Sequence, residues 1–319
     1  MKIVALETGS MGKDMSFACF ETYGDLVLYE GTLENEVIDR ISDADIVIIN
    51  KTDMNREVLS KANKLKLICL TATGFNNVDL VCCKEKGIVV SNVVGYSTPI
   101  VAQHTFAMLL SIYEHLNYYD EYVKQGGYAE GQSFTYINRP FCELQGKTYG
   151  IVGMGNIGRK VAQIAQAFGC KIVYFSASGR KYDVEYDQVD FDTLLRESDV
   201  ISLHCPLNEH TKYLFDYDAF EKMKKSTVLI NVARGAVVVE KDLVHALEEE
   251  LIAGAGIDVY EEEPLKKDSA YFRIKHLDNL ILTPHIGWGS TEARQRCLDE
   301  ICLNIEAFLN GGSRNNVAK

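Results

Sequence analysis

The sequence predicts an α/β protein with doubly wound parallel sheets, and three observations carry that expectation. Apolar runs of strand length alternate with stretches of helical length along most of the chain, the pattern of parallel strands joined by crossover helices. The apolar run Tyr149–Val152 is followed at once by Gly153-x-Gly155-x-x-Gly158 and then by apolar residues at helical spacing. The chain has 319 residues, more than one domain usually holds, so two domains are expected.

The first hundred residues offer strands at Ile3–Leu6, Leu26–Tyr29, Ile46–Ile49, Leu67–Leu70 and Ile88–Val90. Helices are predicted between them at Glu34–Arg40, Arg56–Lys64 and Val78–Lys86. Gly9 and Gly12 complete no phosphate fingerprint, so this part is not expected to hold the nucleotide. A single long helix is predicted from Pro99 to Lys124, with Val101, Phe106, Leu109, Leu110 and Tyr113 among its apolar positions. The stretch from Gly126 to Arg139 is polar, aromatic and glycine-bearing, and reads as an irregular arm.

After Tyr149–Val152 come a helix carrying Val161, Ile164, Ala165 and Phe168, a terminating Gly169, and the strand Lys171–Phe175. Four more strands, Val200–His204, Val228–Val232, Gly254–Val259 and Leu280–Thr283, bring this sheet to six, the number in a full Rossmann sheet. A last helix runs from Thr291 to Leu309, and the tail 311–316 is expected to fray.

Glycine triplets arise by chance in loops, but a strand–turn–helix setting gives this one its physics. Gly153 permits the tight turn, Gly155 lets backbone approach a pyrophosphate, and Gly158 lets helix and strand pack closely. The N–H groups at the helix start, around Asn156 and Ile157, then face the phosphates of a dinucleotide.

Composition narrows the partners. Lys plus Arg total 33 against 45 for Asp plus Glu, a net charge of -12 that argues against nucleic acid or an anionic membrane. An anionic ligand must therefore be held by locally placed cations or backbone N–H groups. No apolar stretch reaches transmembrane length, and the start of the chain lacks a signal-peptide pattern. Nine scattered cysteines with no CxxC pair read as reduced thiols, so a cytoplasmic location is expected. No HExxH and no clustered Cys/His spacing is present, so no metal site is expected.

Ligands of open α/β sheets gather beyond the carboxyl ends of the strands. There Val228–Val232 leads to Arg234, Gly254–Val259 to the acidic run Glu261-Glu262-Glu263-Pro264, and Leu280–Thr283 to His285. An arginine, a carboxylate and a histidine at one edge suit carbonyl reduction beside a nicotinamide. The guanidinium fork binds a carboxylate and the adjacent carbonyl oxygen, and the imidazole gives the proton. Position alone leaves two choices open: any of the three glutamates could partner the histidine, and His204 also ends a strand and rivals His285. Asp258 could accept hydrogen bonds from the nicotinamide carboxamide.

These stretches resemble the D-isomer-specific 2-hydroxyacid dehydrogenase family over nearly the whole chain. The marks are Thr73-Gly74-Phe75-Asn76-Asn77-Val78-Asp79, Asn92-Val93-Val94-Gly95-Tyr96-Ser97-Thr98 with Ala102-Gln103-His104-Thr105, the glycine loop, and Asn231-Val232-Ala233-Arg234-Gly235. Gly256-Ile257-Asp258-Val259-Tyr260, Glu263-Pro264 and Thr283-Pro284-His285 complete them. The resemblance implies two Rossmann-like domains with the active site in the cleft between them: residues 1–98 plus 289–319 for the substrate and 99–288 for the dinucleotide. It implies Glu263 as the catalytic acid, His285 as proton donor, Arg234 as the substrate-binding arginine, and backbone donors at Thr73 and Gly74 for the substrate carboxylate. Homodimers are usual in such a family. Trp288, within Thr283–Ser290, points to glycerate dehydrogenase or hydroxypyruvate reductase members and is expected to shape the substrate pocket. Val94 and Gln103 depart from a common proline and glutamate, and neither touches the three catalytic positions.

Cofactor contacts are also expected at Cys205, Pro206, Ala233 and Asp258. One departure bears on the cofactor. The strand Lys171–Phe175 is followed by Ser176, where an NAD site usually carries an acid for the ribose hydroxyls. Without that carboxylate a 2′-phosphate is not repelled, and Ser176, Ser178 and Arg180 could bind it. NAD(P) is expected, with NADP slightly favoured. The resulting expectation is an NAD(P)-dependent reductase of small 2-oxo acids, hydroxypyruvate or glyoxylate. Its rivals are a dehydrogenase of bulkier D-2-hydroxy acids and a dinucleotide-sensing co-repressor-like protein, which loss of one catalytic residue would have favoured.

Overall fold

The computed structural model describes residues 1–318, which form two compact units: 1–97 with 289–318, and Thr98–Trp288. The first contains β1 (Lys2–Ala5), β2 (Asp25–Leu28), α1 (Glu34–Ile41), β3 (Ile46–Ile49), α2 (Arg56–Lys61), β4 (Leu67–Leu70), α3 (Leu80–Lys86) and β5 (Val89–Ser91). All five strands are parallel, in the order β2-β1-β3-β4-β5. The central β3 and β4 are buried throughout, as continuous apolar strands covered on both faces must be. Asn55 and Asp79 cap α2 and α3 by accepting from the Val58 and Cys82 N–H groups.

The C-terminal helix Thr291–Leu309 packs against β4 in this same unit. The tail beyond it is not frayed. The Ser91 hydroxyl donates to the Arg314 carbonyl at 2.8 Å, the Val317 N–H to the Val90 carbonyl at 2.8 Å, and Ser91 bridges to Asn316. The exposed edge of β5 supplies these partners, which no local pattern in the tail announces.

The second unit begins with α4 (Thr98–Tyr113) and α5 (Leu116–Lys124). The single helix predicted over this stretch is broken at His115, whose φ of 51° cannot continue a right-handed helix. A short α6 (Gly127–Glu130) opens the otherwise irregular arm. Then follow β6 (Thr148–Val152), α7 (Asn156–Ala167), β7 (Lys171–Phe175), β8 (Asp187–Gln188), α8 (Phe191–Glu197), β9 (Val200–Leu203), α9 (Tyr217–Lys222), β10 (Val228–Asn231), α10 (Glu240–Glu248), β11 (Gly254–Ile257) and β12 (Leu280–Leu282). The Thr291–Leu309 helix is α11.

The sheet is parallel with seven strands, not six, in the order β12-β11-β10-β9-β6-β7-β8. The seventh, β8, is a two-residue polar edge strand paired to Val173 and Tyr174, and it offers no apolar run to read. Alternate side chains divide the core. Ile201, Leu203, Leu229 and Ile257 pack on one face with α8, α9 and α10, while Tyr149, Ile151, Val200 and Ile230 pack on the other with α4 and α7. Connections reverse direction between β6 and β9, which opens the crevice where open α/β sheets hold ligands.

Four strands of this sheet end earlier than predicted, leaving His204, Val232, Asp258 and Thr283 in exit loops. Apolar composition does not show where ladder hydrogen bonds stop. At β10 the stop is explicit: the buried Asn231 side chain accepts from the Ala233 N–H and donates to the Arg234 carbonyl, each at 3.0 Å.

Candidate active site

The loop between β6 and α7 lies at that reversal. Gly153 has a φ of 95°, and a Cβ there would fall 2.8 Å from the Cys205 nitrogen and 2.9 Å from the His204 carbonyl carbon. A Cβ on Gly158 would fall 2.1 Å from the Gly153 oxygen, whereas Gly155 faces open space. Gly155 is also the N-cap of α7 and has no side chain to satisfy the first-turn N–H groups at Asn156 and Ile157. The turn is thus built for close approach of an anionic group, and its residues fit a dinucleotide pyrophosphate. Cys205 and Ala233 are buried, so what they offer a ligand is backbone; Pro206 is exposed, and its carbonyl accepts from Thr211 Oγ1.

At the end of β7, Ser176 is buried and its Oγ lies 3.3 Å from Ser178 Oγ. The Arg180 guanidinium sits 5.0 Å from the Tyr182 ring centre, and that of Arg159 sits 5.7 Å from the same ring. The sequence reading missed Arg159. It directly follows Gly158, and only the fold brings it beside Tyr182.

Strands β10, β11 and β12 are neighbours in register, so their exit loops leave from one edge. His285 Nδ1 lies 2.8 Å from Glu263 Oε2, with both side chains about a quarter exposed. Glu263 Oε1 accepts from the Tyr260 N–H at 3.2 Å. Arg234, on the β10 loop, is exposed and donates through Nη1 to the Ala233 carbonyl. Geometry separates the rivals that position left open. Glu263 rather than its two neighbours meets the histidine. His204 turns inward, with Nε2 at 2.8 Å from Ser202 Oγ and an enclosed Nδ1, and burial pushes its pKa down to about 3. It is a neutral imidazole beneath the glycine loop.

Asp258 braces the loop that follows β12. Its Oδ1 accepts from Thr283 Oγ1 at 2.6 Å and from the Ile286 N–H at 2.8 Å, and its Oδ2 from the Gly287 N–H at 2.8 Å. His104 Nε2 approaches the same group at 3.5 Å. Burial works against the charge, but hydrogen bonds from His104, Thr283, Gly287 and Ile286 outweigh it and hold the carboxyl below the ordinary carboxylate range. Both oxygens therefore serve the loop that carries His285, whose own φ of 55° needs such support. Trp288 ends this loop half-buried.

In the other unit, Thr73 and Gly74 follow β4. Thr73 Oγ1 donates to the Val93 carbonyl and Asn92 Nδ2 to the Thr73 carbonyl, both at 2.8 Å, which fixes the turn. Among the described residues no group of three His, Cys, Asp or Glu side chains could hold a metal ion, and no helix is long and apolar enough to cross a membrane.

A glycine turn at the strand reversal, with a carboxylate–histidine pair on the exit loops of β11 and β12 at the same sheet, defines an oxidoreductase that works with a nicotinamide dinucleotide. Residues 106–287 match the family model described as "D-isomer specific 2-hydroxyacid dehydrogenase, NAD binding domain". The chain is 39% identical over 326 residues to a hydroxypyruvate reductase of Blautia hydrogenotrophica, covering 100% of both chains. Among solved structures, an acyclic imino acid reductase in complex with NADPH and D-Arg has a TM-score of 0.87 at 32% identity, covering 99% of this chain and 100% of that one. A D-lactate dehydrogenase from Aquifex aeolicus, complexed with NAD and lactic acid, has a TM-score of 0.82 at 30% identity, with 98% and 96% covered. The chain belongs to the D-isomer-specific 2-hydroxyacid dehydrogenase family.

Proposed function

We propose that this enzyme reduces a small 2-oxo acid, hydroxypyruvate or glyoxylate before bulkier ones, and uses NADP(H) in preference to NAD(H). The observation that carries the mechanism is the 2.8 Å contact between His285 Nδ1 and Glu263. When bound, the nicotinamide supplies hydride to the substrate carbonyl carbon. Arg234 holds the substrate carboxylate and carbonyl oxygen through its fork of donors. Pairing of Nδ1–H with Glu263 leaves His285 Nε2 to give its proton to that oxygen, and the carboxylate steadies the imidazolium before transfer. The unit Thr98–Trp288 takes the dinucleotide in this reading. In the same reading Trp288 limits the substrate side chain.

The substrate class rests on the likeness to the Blautia enzyme. The coenzyme preference rests on Ser176 in place of an acid, on the neighbouring Ser178, and on the positive charge of Arg180 and Arg159 beside Tyr182. The test is the initial rate of coenzyme oxidation with hydroxypyruvate, NADPH and NADH side by side. Faster turnover with NADPH supports the whole reading. Faster turnover with NADH removes the coenzyme preference alone, and no turnover by folded protein removes hydroxypyruvate.

A homodimer in the cytoplasm belongs to the same proposal. The arm after α6 exposes Phe134 (90%), Ile137 (69%) and Phe141, an apolar surface suited to a second copy of the chain. Light scattering is expected to give twice the chain mass, and Phe134→Ser with Ile137→Ser to give the single mass. A monomeric wild type would refute it.

A further inference from the structure

We propose that Tyr260 is a positioning residue for the reaction, holding Arg234, Glu263 and His285 in one arrangement through three different parts of itself. The inference rests on the reading of His285 and Glu263 as the proton-donating pair.

Tyr260 lies three residues beyond the end of β11, and each of its contacts reaches a different catalytic loop. Its N–H donates to Glu263 Oε1 at 3.2 Å, on the oxygen that the histidine does not use. Its hydroxyl donates to the Thr283 carbonyl at 2.9 Å, the same carbonyl that accepts from the His285 N–H at 3.0 Å. That shared acceptor closes the turn over Pro284 and sets the left-handed backbone of His285, so the phenol acts on the imidazole one bond removed. Its peptide group lies against Gly235, next to Arg234, so closely that a Cβ on Gly235 would fall 1.8 Å from the Tyr260 carbonyl carbon.

The side chain is held for this work. Tyr260 is 9% exposed, and its ring meets that of Tyr271 edge-on at 5.9 Å between centres. Burial, with the nearby charges of Asp258, Glu263 and Glu240, raises the phenol to about 12, so it stays a donor throughout the neutral range. An apolar ring of the same shape would fill the space but leave the Thr283 carbonyl with one donor fewer.

Tyr260→Phe isolates the hydroxyl, and because the ring packing is kept the melting curve is expected to stay near wild type. Steady-state rates with hydroxypyruvate and NADPH are measured for wild type, Y260F, E263Q and the double variant. If NADPH proves the poorer coenzyme, NADH replaces it. The expected result for Y260F is a fall in kcat of about five- to tenfold, the rate equivalent of one neutral hydrogen bond, with KM values little changed. In the E263Q background the same substitution is expected to change kcat by less than about twofold, because the pair it positions is already lost. An unchanged kcat in Y260F overturns the proposal. So does an equal loss in both backgrounds, which would mean a general packing effect. If E263Q itself keeps the wild-type kcat, the proton-donating pair falls first, and Tyr260 has nothing to position.

Discussion

Replacing Gly235 by alanine adds one methyl group where the exit loops of β10 and β11 meet. Its backbone is not left-handed, so alanine is allowed there conformationally and the effect is steric. The new Cβ would meet the Tyr260 carbonyl carbon at 1.8 Å, its oxygen at 2.0 Å and the Glu261 nitrogen at 2.3 Å. All three are backbone atoms, so no side-chain rotation relieves the contact. The Tyr260 peptide must retreat by about 1.5 Å before ordinary van der Waals distance returns. That retreat draws on the Tyr260 N–H bond to Glu263 and the Tyr260 hydroxyl bond to Thr283. Overpacking of this kind costs about 1–3 kcal/mol. For a unit of this size the melting temperature should fall by about 2–12 °C. Misplacement of reacting groups by an ångström lowers rates by about a hundredfold, so kcat should suffer more than stability. Calorimetry and steady-state rates with hydroxypyruvate measure both. A variant melting within about 1 °C of wild type, with kcat within about twofold, would refute the reasoning.

Asp258→Asn should destabilise the Thr98–Trp288 unit by about 2–4 kcal/mol, since it weakens charge-assisted bonds and sets an amide donor among donors. Because the Asp258 pKa is lowered in the folded state, its stabilisation is complete above the unfolded value of about 3.9 and is lost as pH falls through the folded one. Denaturant melts of wild type and variant should therefore converge in strong acid, and a difference that grows on acidification would contradict this. Gly158→Ala places a Cβ 2.1 Å from the Gly153 oxygen and pushes α7 off the turn. Coenzyme affinity, read by fluorescence titration, should weaken about tenfold or more, and unchanged affinity would remove the turn from the binding site. Ser176→Asp restores an acid at the end of β7. It should shift the ratio of kcat/KM for NADPH over NADH toward NADH by about tenfold, and an unmoved ratio would show that the 2′-phosphate lies elsewhere.

Much of this protein was legible because its signals are local. Apolar runs such as Ile46–Ile49 and Val228–Val232 read as strands buried on both faces, and both become parallel strands. Gly153, Gly155 and Gly158 were readable because each glycine answers a steric demand within a few residues of itself. Arg234, Glu263 and His285 stood out by following successive strands, although choosing Glu263 among three glutamates, and His285 over His204, needed the family pattern.

What the tertiary structure decided was every question of partnership. The two-residue β8 is a strand only because β7 pairs with it, and the tail beyond α11 is ordered only because β5 leaves an edge free. Asp258 also braces the loop after β12 through the Thr283, Ile286 and Gly287 donors, contacts that its place at a strand end does not announce. Tyr260 stood in the family pattern with no role attached: its value lies in contacts with Gly235, Glu263 and Thr283, on three loops that only sheet register brings together. Periodicity and turn chemistry are properties of neighbours along the chain. Hydrogen-bond saturation and steric contact belong to neighbours in space, and these decide what a polar side chain at a strand end is free to do.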